Sequence, residues 1–246
     1  MKLWDISPPV DAHAPVFPGD TAYRQQWTMK LGPGSPVNVS AITCSPHVGA
    51  HADAPLHYDS GGCGVGALDL FPYLGPCRVI HAWGMRNVGH GERLVRWAHL
   101  AHRIDGHLPP RLLVRTYERA PVDRFDPELA AFAPETLEQL ADLGVQLVGI
   151  DTASIDPAAS KTLDSHQVAR RRGLRVLENL VLDQVAEGDY ELIALPLKWM
   201  TADASPVRAV LRELAPQLPA RRALPGPDDP AFVDTPFDYS RTLGLE

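Results

Sequence analysis

The chain has 246 residues, 45% of them hydrophobic, and 23 Lys+Arg against 30 Asp+Glu give a formal net charge of −7. A chain this long buries roughly 70–75% of its unfolded surface without disulfide staples. Its acidity, with no basic run longer than Arg170-Arg171-Arg172, argues against nucleic-acid and membrane-surface partners, which engage phosphates through positive charge. In chain order, residues 2–7 read as a short strand that cannot continue through Pro8, Pro9, Pro15 and Pro18. Pro18-Gly19-Asp20 reads as a turn. Residues 37–44 alternate with a period of two, and residues 77–83 and 111–117 are rich in Val, Leu and Ile, so all three are predicted strands. Pro134 opens a predicted helix whose Leu137, Leu140 and Leu143 share one face, and Gly144 ends it. Residues 145–150 then form a strand that delivers Asp151. A second helix spans 166–172, closed by Gly173, with its arginines at the solvated, dipole-favoured end. Residues 190–199 and 207–214 supply the last strands. Helix followed by strand across a short turn is α/β organisation, and the 24 prolines exclude long helical bundles. One domain is expected over 1–214. Residues 215–246, broken by six prolines from Pro216 to Pro236, are expected to form an irregular tail.

No stretch approaches the roughly 18 apolar residues of a membrane span, and the first residues, Met1-Lys2-Leu3-Trp4-Asp5, carry no apolar signal segment. Cys44, Cys63 and Cys77 form no Cys-x-x-Cys pair, which suits a reducing cytoplasm. A serine hydrolase is excluded by the lack of a Gly-x-Ser-x-Gly elbow. Gly62-Cys-Gly64-Val-Gly66-Ala67 superficially fits a dinucleotide fingerprint, but it follows no strand and opens no helix, so it is expected to be a flexible glycine loop. Cys63 lacks the His/Asn partners of a catalytic thiol.

The chemistry lies in His47-Val-Gly-Ala-His51-Ala-Asp53-Ala-Pro-Leu-His57, the pattern H-x3-H-x-D-x3-H. One loop histidine is ordinarily a hydrogen-bonding residue, but four metal- or proton-competent side chains at odd positions all face one way along an extended chain. Pro46 and Pro55 exclude a continuous helix. A straight strand would hold His47 and His51 roughly 13 Å apart, so the chain must bend between them for both to reach one metal, and Gly49 is the residue able to allow it. Imidazoles and a carboxylate without paired thiolates suit an open Zn²⁺, Mn²⁺ or Fe²⁺ site. The remaining histidines (His13, His81, His90, His99, His102 and His107) show no comparable spacing.

This motif, with Ser160 to His166 and Glu178-Asn-Leu-Val-Leu, resembles the metal-dependent cyclase-like hydrolases, in the branch of the bacterial kynurenine formamidases (arylformamidases). Leu3-Trp-Asp-Ile-Ser7, Val16-Phe17-Pro18-Gly19-Asp20, Thr152 to Asp156 and Leu195-Pro-Leu-Lys198 extend the likeness over roughly 1–214, whereas the tail departs from it. The resemblance implies mixed β-sheets with few flanking helices in a swivelling β/β/α fold, and a homodimer or higher oligomer. It also implies two Zn²⁺ ions (or Mn²⁺), with His47, His51 and Asp53 on the first and His166 on the second. Asp53 and Glu178 would bridge both, and His57 would be the general acid/base. Phe17 would stack on the substrate's aryl ring, where other members carry Trp. The implied reaction is hydrolysis of N-formyl-L-kynurenine to L-kynurenine and formate by a bridging hydroxide. A sister hydrolase opening a cyclic amide such as isatin, and a non-hydrolytic metal-binding protein or iron oxygenase, are the alternatives.

Overall fold

The computed structural model describes residues 2–83 and 93–214. His90 and the expected tail, 215–246, lie outside the described residues. In chain order the strands are β1 (Leu3–Asp5), β2 (Arg24–Met29), β3 (Val39–Thr43), β4 (His51–Asp53), β5 (Leu74–His81), β6 (Arg93–Val95), β7 (Arg111–Arg115), β8 (Ala130–Phe132), β9 (Leu147–Ile150), β10 (Arg175–Glu178), β11 (Gly188–Ile193), β12 (Ala204–Pro206) and β13 (Val210–Glu213). The helices are α1 (Trp97–Leu100), α2 (Pro134–Asp142) and α3 (Asp164–Arg172).

Nine strands form one mixed sheet in the order β1-β13-β11-β5-β7-β9-β10-β4-β12. Its centre, β5-β7-β9-β10, is parallel, and antiparallel strands extend both sides. β7 and β9 are nearly continuous apolar runs because both of their faces are covered. Leu113, Leu147 and Leu177 pack on one face with Val79, Leu192 and Leu211. Leu112, Val114, Val148 and Ile150 pack on the other against Leu137 and Leu140 of α2 and Val168 of α3. Each such fully buried side chain contributes roughly 1.5–3 kcal/mol, so the parallel strands are a rigid base, and ligands characteristically bind past the carboxyl ends of such strands.

α2 starts at Pro134 and is followed by Gly144 at φ +87°. α3 ends on Gly173 at φ +67°, with Arg170 paired to Asp59 and Arg172 to Glu138 and Asp142. Phe17 to Asp20 closes a turn, the Asp20 N–H donating to the Phe17 carbonyl, with Gly19 at φ +92°.

Several elements differ from expectation; β6, β8, β12 and α1, three or four residues each, are too short to carry a period. β2 was not expected, because Arg-Gln-Gln-Trp-Thr-Met has no apolar alternation; among the described residues it pairs only with β3, and all six of its residues are exposed. β10 is a four-residue strand between helix and loop, too short to carry a period. The strand expected over 190–199 stops at Ile193, and Leu195-Pro-Leu-Lys198 is irregular. Among the described residues no helix is long and apolar enough to cross a membrane.

Candidate metal centre

The H-x3-H-x-D-x3-H segment is extended only over His51–Asp53, not along its whole length. His47 lies in the preceding turn, where Gly49 adopts φ +65° and makes the expected bend. A Cβ there would also come within 2.6 Å of Val10. Beyond Asp53, Pro55 opens a 3₁₀ turn over Pro55–His57, so His57 is brought round by that turn and not by strand alternation. The four side chains still converge.

Tertiary structure brings the other two. β10 pairs antiparallel with β4 so that Glu178 lies opposite His51, and Val176 opposite Asp53. His166 stands in the first turn of α3, where the helix has no side-chain cap of its own and Leu163 before it is left-handed at φ +52°. Asp156 supplies the missing acceptor from a distance. Its carboxylate takes the N–H groups of Ser165 and His166 at 2.9 Å, and the His166 Nδ1 at 2.7 Å. An aspartate on a helix N-terminus is favoured by the dipole, and here the same carboxylate fixes the imidazole.

The inward atoms form one cluster. His47 Nδ1 lies 3.2 Å and His51 Nε2 3.5 Å from Asp53 Oδ1. His166 Nε2 lies 3.3 Å from Asp53 Oδ2 and 3.6 Å from Glu178 Oε1, and His51 Nε2 lies 3.2 Å from Glu178 Oε2. His51, Asp53, His166 and Glu178 are buried. His57 sits at the rim, its ring 4.3 Å from that of His47 and 5.7 Å from that of His166.

The outward nitrogens decide what this cluster can hold. His51 Nδ1 donates to the Gly49 carbonyl at 2.9 Å, His166 Nδ1 to Asp156, and His47 Nε2 to Asp203 Oδ2 at 3.0 Å. In the neutral ring each inward nitrogen is then a lone pair aimed at carboxylate oxygens. Acceptors facing acceptors need a cation between them. Consistently, His51 Nε2 and Asp53 Oδ1 are buried with no hydrogen-bond partner among the described residues, a cost of roughly 1–3 kcal/mol for each unless a ligand satisfies them. Imidazoles anchored outside by a carbonyl or carboxylate and open inside are how metal-binding histidines are held, so the residues present fit a divalent metal. Three groups place their ligand atoms within 4.8 Å of one another: His47, His51 and Asp53; Asp53, His57 and His166; and His47, His57 and Asp203.

The electrostatics agree. Burial works against a charged His47, but Asp53 and Asp203 override it and raise its pKa to about 9. Burial likewise opposes charging of His166, and Asp156 and Asp53 raise it to about 10. Burial would push Asp53 up, yet His166 and His47 hold it well below the usual carboxylate range. The same negative field attracts a metal ion.

Phe17 is half-exposed and packs edge-on against Phe125, ring centroids 5.0 Å apart. Both line a cleft with Val122 and Leu180. Gly49, between His47 and His51, and Asn179, next to Glu178, line the same cleft.

Asp156 and Asp203 were not anticipated as site residues. Asp156 fell within Thr152 to Asp156, a stretch noted for its likeness alone, and Asp203 carried no signal. Gly62 to Gly66 is tightly packed, not the flexible loop expected: a Cβ on Gly64 would lie 2.3 Å from the Met200 carbonyl oxygen, and one on Gly66 2.7 Å from the Trp199 carbonyl carbon.

Known proteins share this arrangement of sequence and fold. The Cyclase family model matches residues 4–157. A kynurenine formamidase of Delftia acidovorans is 72% identical over 214 residues, covering 87% of this chain and 99% of the relative. A solved structure described as a potential metal-dependent hydrolase with cyclase activity superposes with TM-score 0.72 at 27% identity, over 87% of this chain and 99% of its own. Isatin hydrolase A of Labrenzia aggregata shares the fold, with TM-score 0.72 at 23% identity over 85% and 93% of the two chains. With its motif, its sheet and its sequence all in agreement, the chain belongs to the cyclase family, in the branch of the bacterial kynurenine formamidases.

Proposed function

We propose that this chain is a metal-dependent arylformamidase that hydrolyses N-formyl-L-kynurenine to L-kynurenine and formate. The observation that carries the reading is the pair of partnerless buried atoms, His51 Nε2 and Asp53 Oδ1, at the meeting point of three anchored imidazoles and two carboxylates. The 72% identity to a relative named kynurenine formamidase supports the substrate. The likeness to isatin hydrolase, at 23% identity, supports the fold alone.

In this reading His47, His51 and Asp53 hold one cation, His166 holds a second, and Asp53 and Glu178 reach both. The carboxylates of Asp53, Glu178, Asp156 and Asp203 around three neutral imidazoles offset the charge of two divalent ions, which favours a dinuclear centre. Zinc suits a nitrogen and oxygen donor set without thiolate, and manganese is the alternative. Bound metals supply a water ionised near neutral pH and polarise the formyl oxygen. His57, at the rim, carries the proton to the departing aniline nitrogen; a histidine is suited to pass one in both directions near neutrality. Phe17 and Phe125 offer an edge and a face for the aryl ring. The hairpin of β2 and β3 exposes Trp27, Met29, Val39 and Ile42 on a two-stranded sheet that is marginal alone in water. That supports a homodimer, which light scattering after gel filtration tests. Free Cys44, Cys63 and Cys77 support a cytoplasmic setting.

The deciding experiment is turnover by chelated enzyme, then with each metal restored, on N-formylkynurenine and on isatin. Restored zinc or manganese enzyme, with two ions per chain, should release kynurenine and leave isatin closed. Preferential isatin opening, or oxygen uptake with one iron, would reject the reading.

A further inference from the structure

We propose that Asp203 is a positioning residue that orients the His57 ring through Nδ1 while anchoring the His47 ring through Nε2. The inference rests on the function proposed above for His57. Asp203 Oδ2 lies 3.0 Å from His47 Nε2 and 3.5 Å from His57 Nδ1, and the two rings sit 4.3 Å apart, tilted by 47°. His51 and His166 each have an outward anchor of their own, the Gly49 carbonyl and Asp156. Asp203 alone among these anchors also faces a ring assigned to proton transfer and not to metal. A carboxylate facing Nδ1 favours the tautomer with the hydrogen on that nitrogen, which leaves Nε2 as the atom turned to substrate.

The backbone holds Asp203 firmly. β12 begins at the next residue and pairs Ala204 with Asp53 of β4, and the Ala54 N–H donates to the Asp203 carbonyl at 2.9 Å. The N–H groups of Val65 and Gly66 donate to the carbonyls of Ala202 and Trp199 at 2.9 and 2.8 Å. The close approach at Gly64 and Gly66 leaves no room for a side chain. The glycine loop therefore acts as a template for the segment that ends on Asp203, which gives the Gly62 to Ala67 motif a structural purpose. In the step served, the water oxygen bonds the formyl carbon, the carbon–nitrogen bond breaks with its electron pair on nitrogen, and His57 Nε2 delivers to that nitrogen one proton taken from the attacking water. The products are the amine and formic acid, which ionises to formate and releases the second proton to solvent.

The test compares Asp203→Asn with wild type at saturating zinc, on N-formylkynurenine and on para-nitrophenyl formate, whose phenolate departs without a proton. Removal of an outer partner of this kind costs about 10–100-fold. We expect that loss in kcat on the anilide, with KM within about twofold, and a clearly smaller loss on the ester, where only the weakened His47 anchor is felt. An equal loss on both substrates, or no loss on the anilide, overturns the proposal. Imidazole nitrogen NMR of the chelated protein gives a readout independent of turnover: the wild-type His57 signal should report the Nδ1–H tautomer, and Asp203→Asn should shift it. A wild-type His57 protonated on Nε2 alone refutes the link even if the variant fails to fold. Wild-type enzyme inactive on N-formylkynurenine would reject the proposed function while leaving the NMR result to judge Asp203.

Discussion

Asp53→Asn isolates the charge at the centre with little change of shape. The Asp53 oxygens lie 3.2 to 3.5 Å from ring nitrogens of His47, His51 and His166, so a cation held among those nitrogens sits within roughly 4 Å of the carboxylate. At that distance and an effective dielectric of about 20, one unit of negative charge is worth about 4 kcal/mol to a unit positive charge. Taking that as a working figure for each metal ion, the substitution should weaken binding by about a thousandfold. The variant also loses the attraction between Asp53 and protonated His47 and His166, so absolute stabilities are not comparable. The increment on adding metal is. At one free zinc concentration that saturates both proteins, the metal-dependent gain in unfolding free energy should be smaller in the variant by about 4 kcal/mol for each ion bound, about 8 kcal/mol for two. Both proteins would be equilibrated across a series of zinc buffers, assayed for bound metal by elemental analysis, and unfolded in urea with and without zinc. Equal metal content across the series would refute the assignment of Asp53 as a shared ligand and, with it, the charge argument for the centre.

His57→Ala should keep two metals per chain and lose about 10²–10⁴ in kcat, the usual worth of a general acid/base; normal turnover would remove His57 from the mechanism. Phe17→Ala should raise KM about tenfold with kcat nearly unchanged, as expected for lost ring stacking, and a fall in kcat alone would contradict it. His47 and His166, raised to about 9 and about 10, carry protons at pH 7 that a bound cation must displace. Zinc binding should thus release about two protons and weaken as pH falls, which calorimetry in buffers of different ionisation heat would detect; no release contradicts the assigned ligands. Asp151, fully buried at the end of β9, has its pKa raised by burial to about 6 despite bonds from Thr116 and Tyr117. The folded state then holds this proton more tightly than the unfolded state, so the site's stability is full below pH 3.8 and falls as pH rises to about 6. Asp151→Asn should therefore gain up to about 3 kcal/mol on wild type between pH 4 and pH 6, then level off; urea unfolding showing a pH-independent difference would refute this.

How much of the site was legible follows from how each imidazole is held. A metal-holding histidine needs one nitrogen pointed at the cation and the other at an anchor. The inward set of His47, His51 and Asp53 lies within seven residues, and residue types and spacing alone were enough to mark it. Its bend was legible too, because glycine is the residue that adopts φ +65° without penalty. The one-face argument failed past Asp53 because Pro55 starts a 3₁₀ turn, a change of local geometry that alternation cannot anticipate. His166 and Glu178 were reached only through family resemblance. What places them is the register of β10 on β4 and the first turn of α3, neither of which leaves a local pattern. The anchors divide the same way. The partner of His51 is two residues distant, whereas Asp156 stands 10 residues from His166 and Asp203 stands 156 from His47. A lone aspartate has no period, and the glycine loop that positions Asp203 has a composition also shared by mobile loops. Only the lack of room for a side chain, a Cβ on Gly64 falling 2.3 Å from the Met200 carbonyl oxygen, distinguishes a packed template from a slack connection. Local sequence therefore specifies which atoms can meet a metal, while tertiary packing specifies which nitrogen of each ring is left free to do so.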